Sequence, residues 1–225
     1  QKRCAQVVQM VRRPSIPGVV VGDAVASAGS SQLMGALAEE TGAQVYHEGL
    51  RAQNAFPGKD IHNKGRLPFE AAGIRRVLAP HDLILMTGSP EFEEVWFDQG
   101  GLMPDGAKTI QVCSAASRAA FKFSVSLCLI GDLKTSIGSI LRHLKTTAGK
   151  VYEADSIARN EALAIKHLAN VTASEARLKS QWDYQPMTPA RAIWEISSAI
   201  PEGTIVVAVS YTHPEPTRLR RISYA

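Results

Sequence analysis

Short apolar segments alternate with helical patterns along the first two thirds of the chain. The short segments are rich in branched aliphatic residues and end at turn residues, which is typical of buried parallel strands. Strands are predicted at residues 19–21, 43–46, 83–87, 109–113 and 125–130. The pattern predicts an α/β fold, a Rossmann-like doubly wound parallel sheet with helices on both faces.

Turn and capping residues mark the expected ends of the helices. Gly42 ends one helix, and Pro80 stops another that is predicted at residues 70–79. Asp132 can cap the next helix, which carries an apolar stripe: Leu133, Ile137, Ile140, Leu141 and Leu144. Residues 48–68 are punctuated by Gly and Pro and are predicted to form a long loop.

The organisation changes after residue 145. Residues 1–145 complete one doubly wound domain, and residues 146–186 are Ala-, Glu- and Lys-rich and predict a helical linker that packs on a neighbour. A helix capped by Thr188 and a strand at residues 204–209 then begin a second α/β unit within residues 187–225. One helix and one strand cannot form a sheet domain, so we expect this unit to be incomplete and the chain to be a piece of a longer protein.

Composition narrows the class of protein. The 225 residues are 45% hydrophobic and 20% charged with a net charge of +4, which excludes a disordered tail. No apolar run approaches the ~18 residues of a membrane span, and no signal peptide is recognisable, so we expect a cytoplasmic protein without a membrane partner. Cys113 and Cys128 lie in predicted strands and are expected to pack as small reduced hydrophobes.

Basic residues concentrate at the two ends of the chain. Residues 1–13 and 218–225 contain basic residues and no acidic ones, whereas the body between them carries more acidic than basic residues. A phosphate-binding surface needs a basic stripe on a folded face. We therefore interpret the ends as solvated termini and expect no nucleic-acid partner.

Motifs for self-contained chemistry are absent from the sequence. The turn after the first strand has Gly22 alone where a dinucleotide fingerprint has three glycines, and Asp23 places a carboxylate where a pyrophosphate would lie. The six histidines have no zinc-ligand spacing, and most are expected to be exposed or partly buried. No nucleophile elbow is present. We predict no catalytic residue and no metal ligand in this chain.

The ordered pattern nevertheless resembles the middle domain of thiamine-diphosphate-dependent decarboxylases and carboligases, the family of acetolactate synthase and benzoylformate decarboxylase. The spacing is most similar to the benzoylformate decarboxylase-like branch. The matching stretches are residues 17–22 (PGVVVG), 37–45 (LAEETGAQV), 55–58 (AFPG), 81–88 (HDLILMTG), 104–110 (PDGAKTI) and 130–132 (IGD). The resemblance identifies residues 187–225 as the start of the C-terminal, diphosphate-binding domain.

The resemblance implies a parent enzyme that uses thiamine diphosphate and Mg²⁺ on a 2-oxo acid. In the family, the activating glutamate comes from an N-terminal domain and the metal motif Gly-Asp-Gly…Asn from the C-terminal domain. Gly131 and Asp132 followed by Asn160 imitate that motif, but Leu133 replaces its glycine, and a helix cap is the favoured interpretation. We therefore expect this chain to be an inactive scaffold. Its partners would be the missing domains of the same polypeptide, in a homodimeric or homotetrameric parent.

Cofactor contact is implied for one loop only. The family's loop after the last strand reaches the diphosphate, and the matching positions here are Ser210, Tyr211, Thr212 and His213. Without the other domains, no bound cofactor is expected. Some relatives bind FAD or ADP in the middle domain, which Asp23 argues against here. The alternative function is a stand-alone module that binds FAD, NAD or ADP at residues 22–28 and 88–89.

Overall fold

The computed structural model describes residues 2–12, 15–88, 99–147, 149–201 and 203–204. The chain divides into two compact units, residues 1–170 and residues 171–225. Within the described residues, six strands form one sheet: β1 (Pro17–Val21), β2 (Gln44–His47), β3 (Asn63–Arg66), β4 (Leu83–Thr87), β5 (Lys108–Cys113) and β6 (Leu127–Ile130). Their order is β3-β2-β1-β4-β5-β6, and every neighbouring pair is parallel. The predicted doubly wound α/β fold is confirmed.

Helices of the first unit cover both faces of this sheet. The helices of the described residues are α1 (Lys2–Val11), α2 (Asp23–Ser27), α3 (Ser31–Thr41), α4 (Ala71–Leu78), α5 (Leu133–Thr147), α6 (Lys150–Ser180) and α7 (Pro189–Ala199). Gly42 ends α3 in the left-handed conformation, with φ of 62°, as the sequence predicts. Among the described residues, no helix is long and apolar enough to cross a membrane.

Alternate residues of the strands β1, β2 and β4 supply two separate cores. Val19 of β1 and Leu85 of β4 pack with α1, α3 and α5. The entire predicted apolar stripe of α5 is buried in this core. Val20 and Met86 point to the opposite face and pack with Ile74 of α4. Because both faces are covered, β1 and β4 are continuous apolar runs rather than alternating ones.

Two predictions about local structure are wrong. Residues 48–68, predicted as a loop, contain the edge strand β3, whose half-exposed sequence NKGR carries no apolar alternation. Its end is fixed to β2 through the backbone, where Leu67 N donates to His47 O at 2.9 Å. The basic start of the chain is the helix α1 rather than a solvated terminus, since Val7, Val8 and Val11 are buried against the core.

The amino-terminal part of α6 packs on the end of α3. Ser156 Oγ donates to Glu40 O at 2.7 Å, and Arg159 Nε donates to Thr41 O at 2.9 Å. These bonds satisfy carbonyls that a helix end leaves without partners. Farther along α6, Ile165 and Leu168 are exposed.

The second unit contains α7 with the predicted cap. Arg191 N donates to the Thr188 hydroxyl at 3.3 Å, and Pro189 occupies the first turn. The strand predicted at residues 204–209 lies outside the described residues apart from Thr204.

Candidate functional site

The strand order places a crevice at the carboxyl ends of β1 and β4. From β1 the chain adds β2 and then β3 on one side, and it returns to add β4, β5 and β6 on the other side of β1. Ligands of open α/β sheets bind at such a switch point in the strand order. Gly22 and Asp23 follow β1, Glu48 follows β2, and Gly88 follows β4. This crevice is the candidate functional site, and it coincides with the nucleotide site of the alternative function.

Two glycine turns approach each other closely at this crevice. Gly22 N donates to Thr87 O at 2.9 Å, which continues the pairing of β1 and β4 into the turn. A Cβ on Gly22 would lie 2.7 Å from Gly88 O, and one on Gly88 would lie 2.9 Å from Gly22 O. Gly88 also has φ of 80°, a conformation that favours glycine. Backbone of the protein itself therefore fills the space between the two turns.

Asp23 occupies the amino terminus of the five-residue α2 with a carboxylate. Its Oδ2 accepts from Ala52 N at 2.7 Å and its Oδ1 from Gln53 N at 3.0 Å. The carboxylate thereby fastens the loop after β2 across the turn. A phosphate at this helix end would meet a fixed negative charge in place of free amides. The geometry supports a structural strand-to-helix turn rather than a phosphate-binding one.

His47, at the end of β2, is buried and neutral. Asn63 Nδ2 donates to Pro57 O at 2.9 Å and lies 3.3 Å from His47 Nε2, so the imidazole accepts at Nε2 and carries its proton on Nδ1. In the part of the chain that the structure describes, Nδ1 has no hydrogen-bond partner. Burial, together with the charge of Arg51, lowers the pKa of His47 to about 4. The neutral ring cannot serve as a cation for an anionic ligand at neutral pH.

The motif that imitates a metal site is a helix cap. Asp132 Oδ1 accepts from Thr135 N at 2.8 Å, and hydrogen bonds from the side chain and the backbone of Thr135 lower the pKa of Asp132. Asn160 is engaged elsewhere, since its Nδ2 donates to Glu39 O at 2.7 Å and its Oδ1 faces His62 Nε2 at 2.9 Å. Over the described ranges, no group of three or more His, Cys, Asp or Glu could hold a metal ion. The described residues do not fit Mg²⁺ or a diphosphate.

The predicted cofactor-contact residues cannot be placed against this geometry. Ser210, Tyr211, Thr212 and His213 lie outside the described residues, as does Ser89 of the alternative nucleotide site. Their assignment stays a prediction.

Buried histidines are the feature that sequence reasoning missed. His47, His62 and His81 are each less than 5% exposed, contrary to the expectation of mostly exposed or partly buried histidines. Each has a polar partner distant from it in sequence: Asn63, Asn160 and Tyr46 respectively. Burial of a polar ring requires such partners, and only the tertiary structure supplies them.

Comparisons with known proteins agree on one family. The family model described as "Thiamine pyrophosphate enzyme, central domain" matches residues 4–142. The chain is 31% identical over 160 residues to benzoylformate decarboxylase of Pseudomonas aeruginosa, and the match covers 71% of this chain and 30% of that protein. The chain thus spans less than a third of the length of this relative.

Solved structures show the same architecture. A protein from Mycobacterium smegmatis that is described as thiamin diphosphate-dependent has a TM-score of 0.59 and 27% identity, over 64% of this chain and 27% of that one. The thiamine diphosphate-dependent 4-hydroxybenzoylformate decarboxylase of Rhodococcus jostii RHA1 has a TM-score of 0.60 and 23% identity, over 66% of this chain and 28% of that one. At that identity, the second likeness shows the fold alone.

Proposed function

This chain belongs to the family of thiamine pyrophosphate enzyme central domains, and from that membership we propose that it is the scaffold region of a thiamine-diphosphate- and Mg²⁺-dependent 2-oxo acid decarboxylase or carboligase. The likeness to benzoylformate decarboxylase supports a decarboxylase parent. The proposed place of action is the cytoplasm.

The closed crevice is the observation that carries the scaffold assignment. The close approach of Gly22 and Gly88 and the carboxylate of Asp23 fill the position at which a Rossmann-like sheet holds a phosphate. Each contact joins segments that are distant in sequence, so the crevice residues stabilise the fold and leave no open site for a ligand. A domain built in this way positions other domains and takes no part in bond making.

We further propose that this chain has no activity alone. The described residues offer no metal cluster, and the sequence has no Gly-Asp-Gly…Asn motif. The proposed partners are the missing N- and C-terminal domains of the same polypeptide, in a homodimeric or homotetrameric parent. In the complete enzyme, Ser210, Tyr211, Thr212 and His213 would contact the diphosphate. The helix α7 exposes apolar side chains, such as Ile193 and Ile196, and another domain would cover them.

The test is an activity and binding assay on the purified 225-residue chain. Benzoylformate, thiamine diphosphate and Mg²⁺ are supplied, and CO₂ release is followed with Pseudomonas aeruginosa benzoylformate decarboxylase as the positive control. We expect no release above the protein-free background and no heat of thiamine diphosphate binding in calorimetry. Turnover that scales with the amount of chain would refute the proposal of inactivity.

The alternative nucleotide-binding function has its own readout. A ligand that binds only the folded state at a concentration 100 times its Kd adds about 2.7 kcal/mol of stability. We expect ADP, NAD and FAD at millimolar concentration to leave the Tm unchanged within about 1 °C, which corresponds to far less binding energy than that. A ligand-induced rise in Tm of several degrees, with a different size in Asp23→Asn, would favour the nucleotide module.

A further inference from the structure

A buried histidine joins the helix α6 to the edge of the sheet. His62 lies directly before β3 and is 4% exposed. Its Nδ1 lies 2.7 Å from Asp60 Oδ1, and its Nε2 lies 2.9 Å from Asn160 Oδ1 of α6. Each ring nitrogen therefore faces an oxygen atom, one in the loop before β3 and the other on the helix.

Both of these oxygens act as hydrogen-bond acceptors. Asp60 Oδ1 also accepts from the backbone N of His62 at 2.9 Å. The orientation of the Asn160 amide follows from its other contact, because Nδ2 donates to Glu39 O at 2.7 Å. An inverted amide would place Oδ1 against that carbonyl oxygen. A ring with an acceptor at each nitrogen satisfies both of them only when both nitrogens carry a proton, as in the imidazolium form.

We propose that His62 is a protonated clamp that holds the amino-terminal part of α6 on the first unit, and that deprotonation of its ring loosens this part of the helix. The neutral ring has one N–H, so one of the two oxygens then faces a lone pair of the ring. With the proton kept on Nδ1 beside Asp60, the contact of Nε2 with Asn160 Oδ1 becomes repulsive. Relief requires α6 to move or Asn160 to give up its bond to Glu39 O.

The clamp supplements contacts that all end at one helix terminus. Ser156, Arg159 and Asn160 of α6 donate to the carbonyls of residues 39–41, at the carboxyl end of α3. His62 ties α6 to a second element, and the hydrogen bond of an ionised donor is about twice as strong as a neutral one. Because α6 extends from the first unit into the second, the protonation state of His62 acts on the segment that connects them.

The charges around His62 oppose one another. The carboxylate of Asp60 favours the imidazolium at salt-bridge distance. Lys64 of β3 and Lys166 of α6 carry the same charge as the imidazolium and disfavour it, and they are close together, since burial and then Lys166 lower the pKa of Lys64 while Asp60 raises it. The elements around the ring also carry other titratable groups: Lys59, Arg66, Glu39, Glu40, Arg159 and His47. Loss of the ring proton relieves the repulsion from the lysines, so the clamp opens as the pH rises.

The experiment measures amide hydrogen exchange of the full chain on either side of the ordinary histidine pKa of about 6.5, at about pH 5.5 and about pH 8.5. Each rate is divided by the intrinsic rate of an unstructured amide at the same pH. We expect the relative exchange at residues 157–163 to be about tenfold faster at the higher pH, because a charge-assisted hydrogen bond is lost. The pKa of His47 is about 4, so its ring stays neutral throughout this interval. Nitrogen-15 NMR of the histidine rings should show two protonated nitrogens in His62 at the lower pH and one at the higher pH.

Three variants assign the response to this ring. His62→Gln cannot be protonated, so its α6 amides should exchange fast at both pH values. Asp60→Asn keeps an acceptor but removes its charge, and the change in exchange should move to lower pH. His143→Gln is the matched control, because this histidine of α5 bonds within its own helix, with Nδ1 2.9 Å from Ser139 O, and it should retain the wild-type response at α6.

Contrary outcomes are defined for each measurement. A His62 ring that carries a single proton at the lower pH overturns the proposal, as does equal relative exchange of the wild-type α6 amides at both pH values. A His62→Gln protein with the wild-type response overturns it as well. If His62→Gln fails to fold, Asp60→Asn decides the question, because its side chain is 28% exposed and the change keeps its shape; a response at the wild-type pH would then overturn the proposal.

Discussion

The hydroxyl of Tyr46 lies 3.0 Å from Nε2 of His81, in a buried contact between β2 and the start of β4. His81 Nδ1 lies 3.1 Å from the carbonyl of Ile16, which can only accept, so Nδ1 carries the proton and Nε2 accepts from Tyr46. Burial raises the pKa of Tyr46 to about 12 and lowers the pKa of His81, so both partners stay neutral. Gly18 makes room for the imidazole, because a Cβ there would lie 2.9 Å from the ring.

Removal of this hydroxyl should destabilise the protein. Tyr46→Phe keeps the ring but leaves His81 Nε2 buried without a donor, which should lower the free energy of unfolding by about 1–3 kcal/mol. Urea denaturation of the two proteins measures the difference. Tyr184→Phe, at a site that is 57% exposed, is the control and should stay within about 0.5 kcal/mol of wild type. Equal losses in both variants would contradict the assigned hydrogen bond.

The two glycines of the crevice should tolerate no side chain. Gly22→Ala places a Cβ 2.7 Å from a carbonyl oxygen in a rigid turn, and we expect a loss of about 1–3 kcal/mol. Gly35→Ala is the matched change, since Gly35 lies in α3 and a Cβ there would meet no atom within 4 Å beyond its chain neighbours and the backbone of its own helix. It should stabilise by about 0.5–1 kcal/mol, because alanine is the better helix former. Thermal unfolding should therefore show shifts of opposite sign, and a Gly22→Ala protein as stable as wild type would mean that the turns are not packed together.

Acid should destabilise the fold through His47. Its pKa in the folded protein is about 4, below the ordinary value of 6.5, so the unfolded chain takes up a proton first as the pH falls. The contribution to stability is complete above about pH 6.5 and decreases toward pH 4, by at most about 3 kcal/mol. The lowered pKa of His81 acts in the same direction.

The variant His47→Gln distinguishes the contribution of His47 to the pH dependence of stability from that of the other titratable groups. Its free energy of unfolding should depend less steeply on pH between 6.5 and 4 than that of wild type. Gly35→Ala, which changes no titratable group, serves as the control and should retain the wild-type slope. Parallel curves for wild type and His47→Gln would show that His47 is not the group that titrates.

The cap of α7 should control the stability of that helix. Thr188→Ala removes the acceptor for Arg191 N and should weaken the helix by about 1 kcal/mol. Hydrogen exchange of the amides at residues 190–192 should then be about five times faster. Ser198→Ala, in the last turn of the same helix, is the control and should leave those amides unchanged. Exchange that is unaffected by Thr188→Ala would exclude a capping role.

Local sequence patterns determined several strands, helices and helix caps of this protein. The apolar runs of β1, β4 and β5, the buried stripe of α5, and the caps at Asp132 and Thr188 depend on residues within a few positions of one another, so the sequence alone predicts them. The order of these elements is also the basis of the family resemblance, which the match over residues 4–142 confirms.

The tertiary structure decided the features that join distant segments. The strand β3 has no apolar alternation and forms because it pairs in parallel with β2. The valines of α1 that are buried lie in a segment whose basic residues suggested a solvated terminus. Likewise, the closure of Gly22 on Gly88, the bond from Tyr46 to His81 and the contact between His62 and Asn160 each unite residues from different strands, turns or helices. The periodicity of a sequence reports which face of an element is buried but not which partner lies against it, and the partner determines the chemistry of the site.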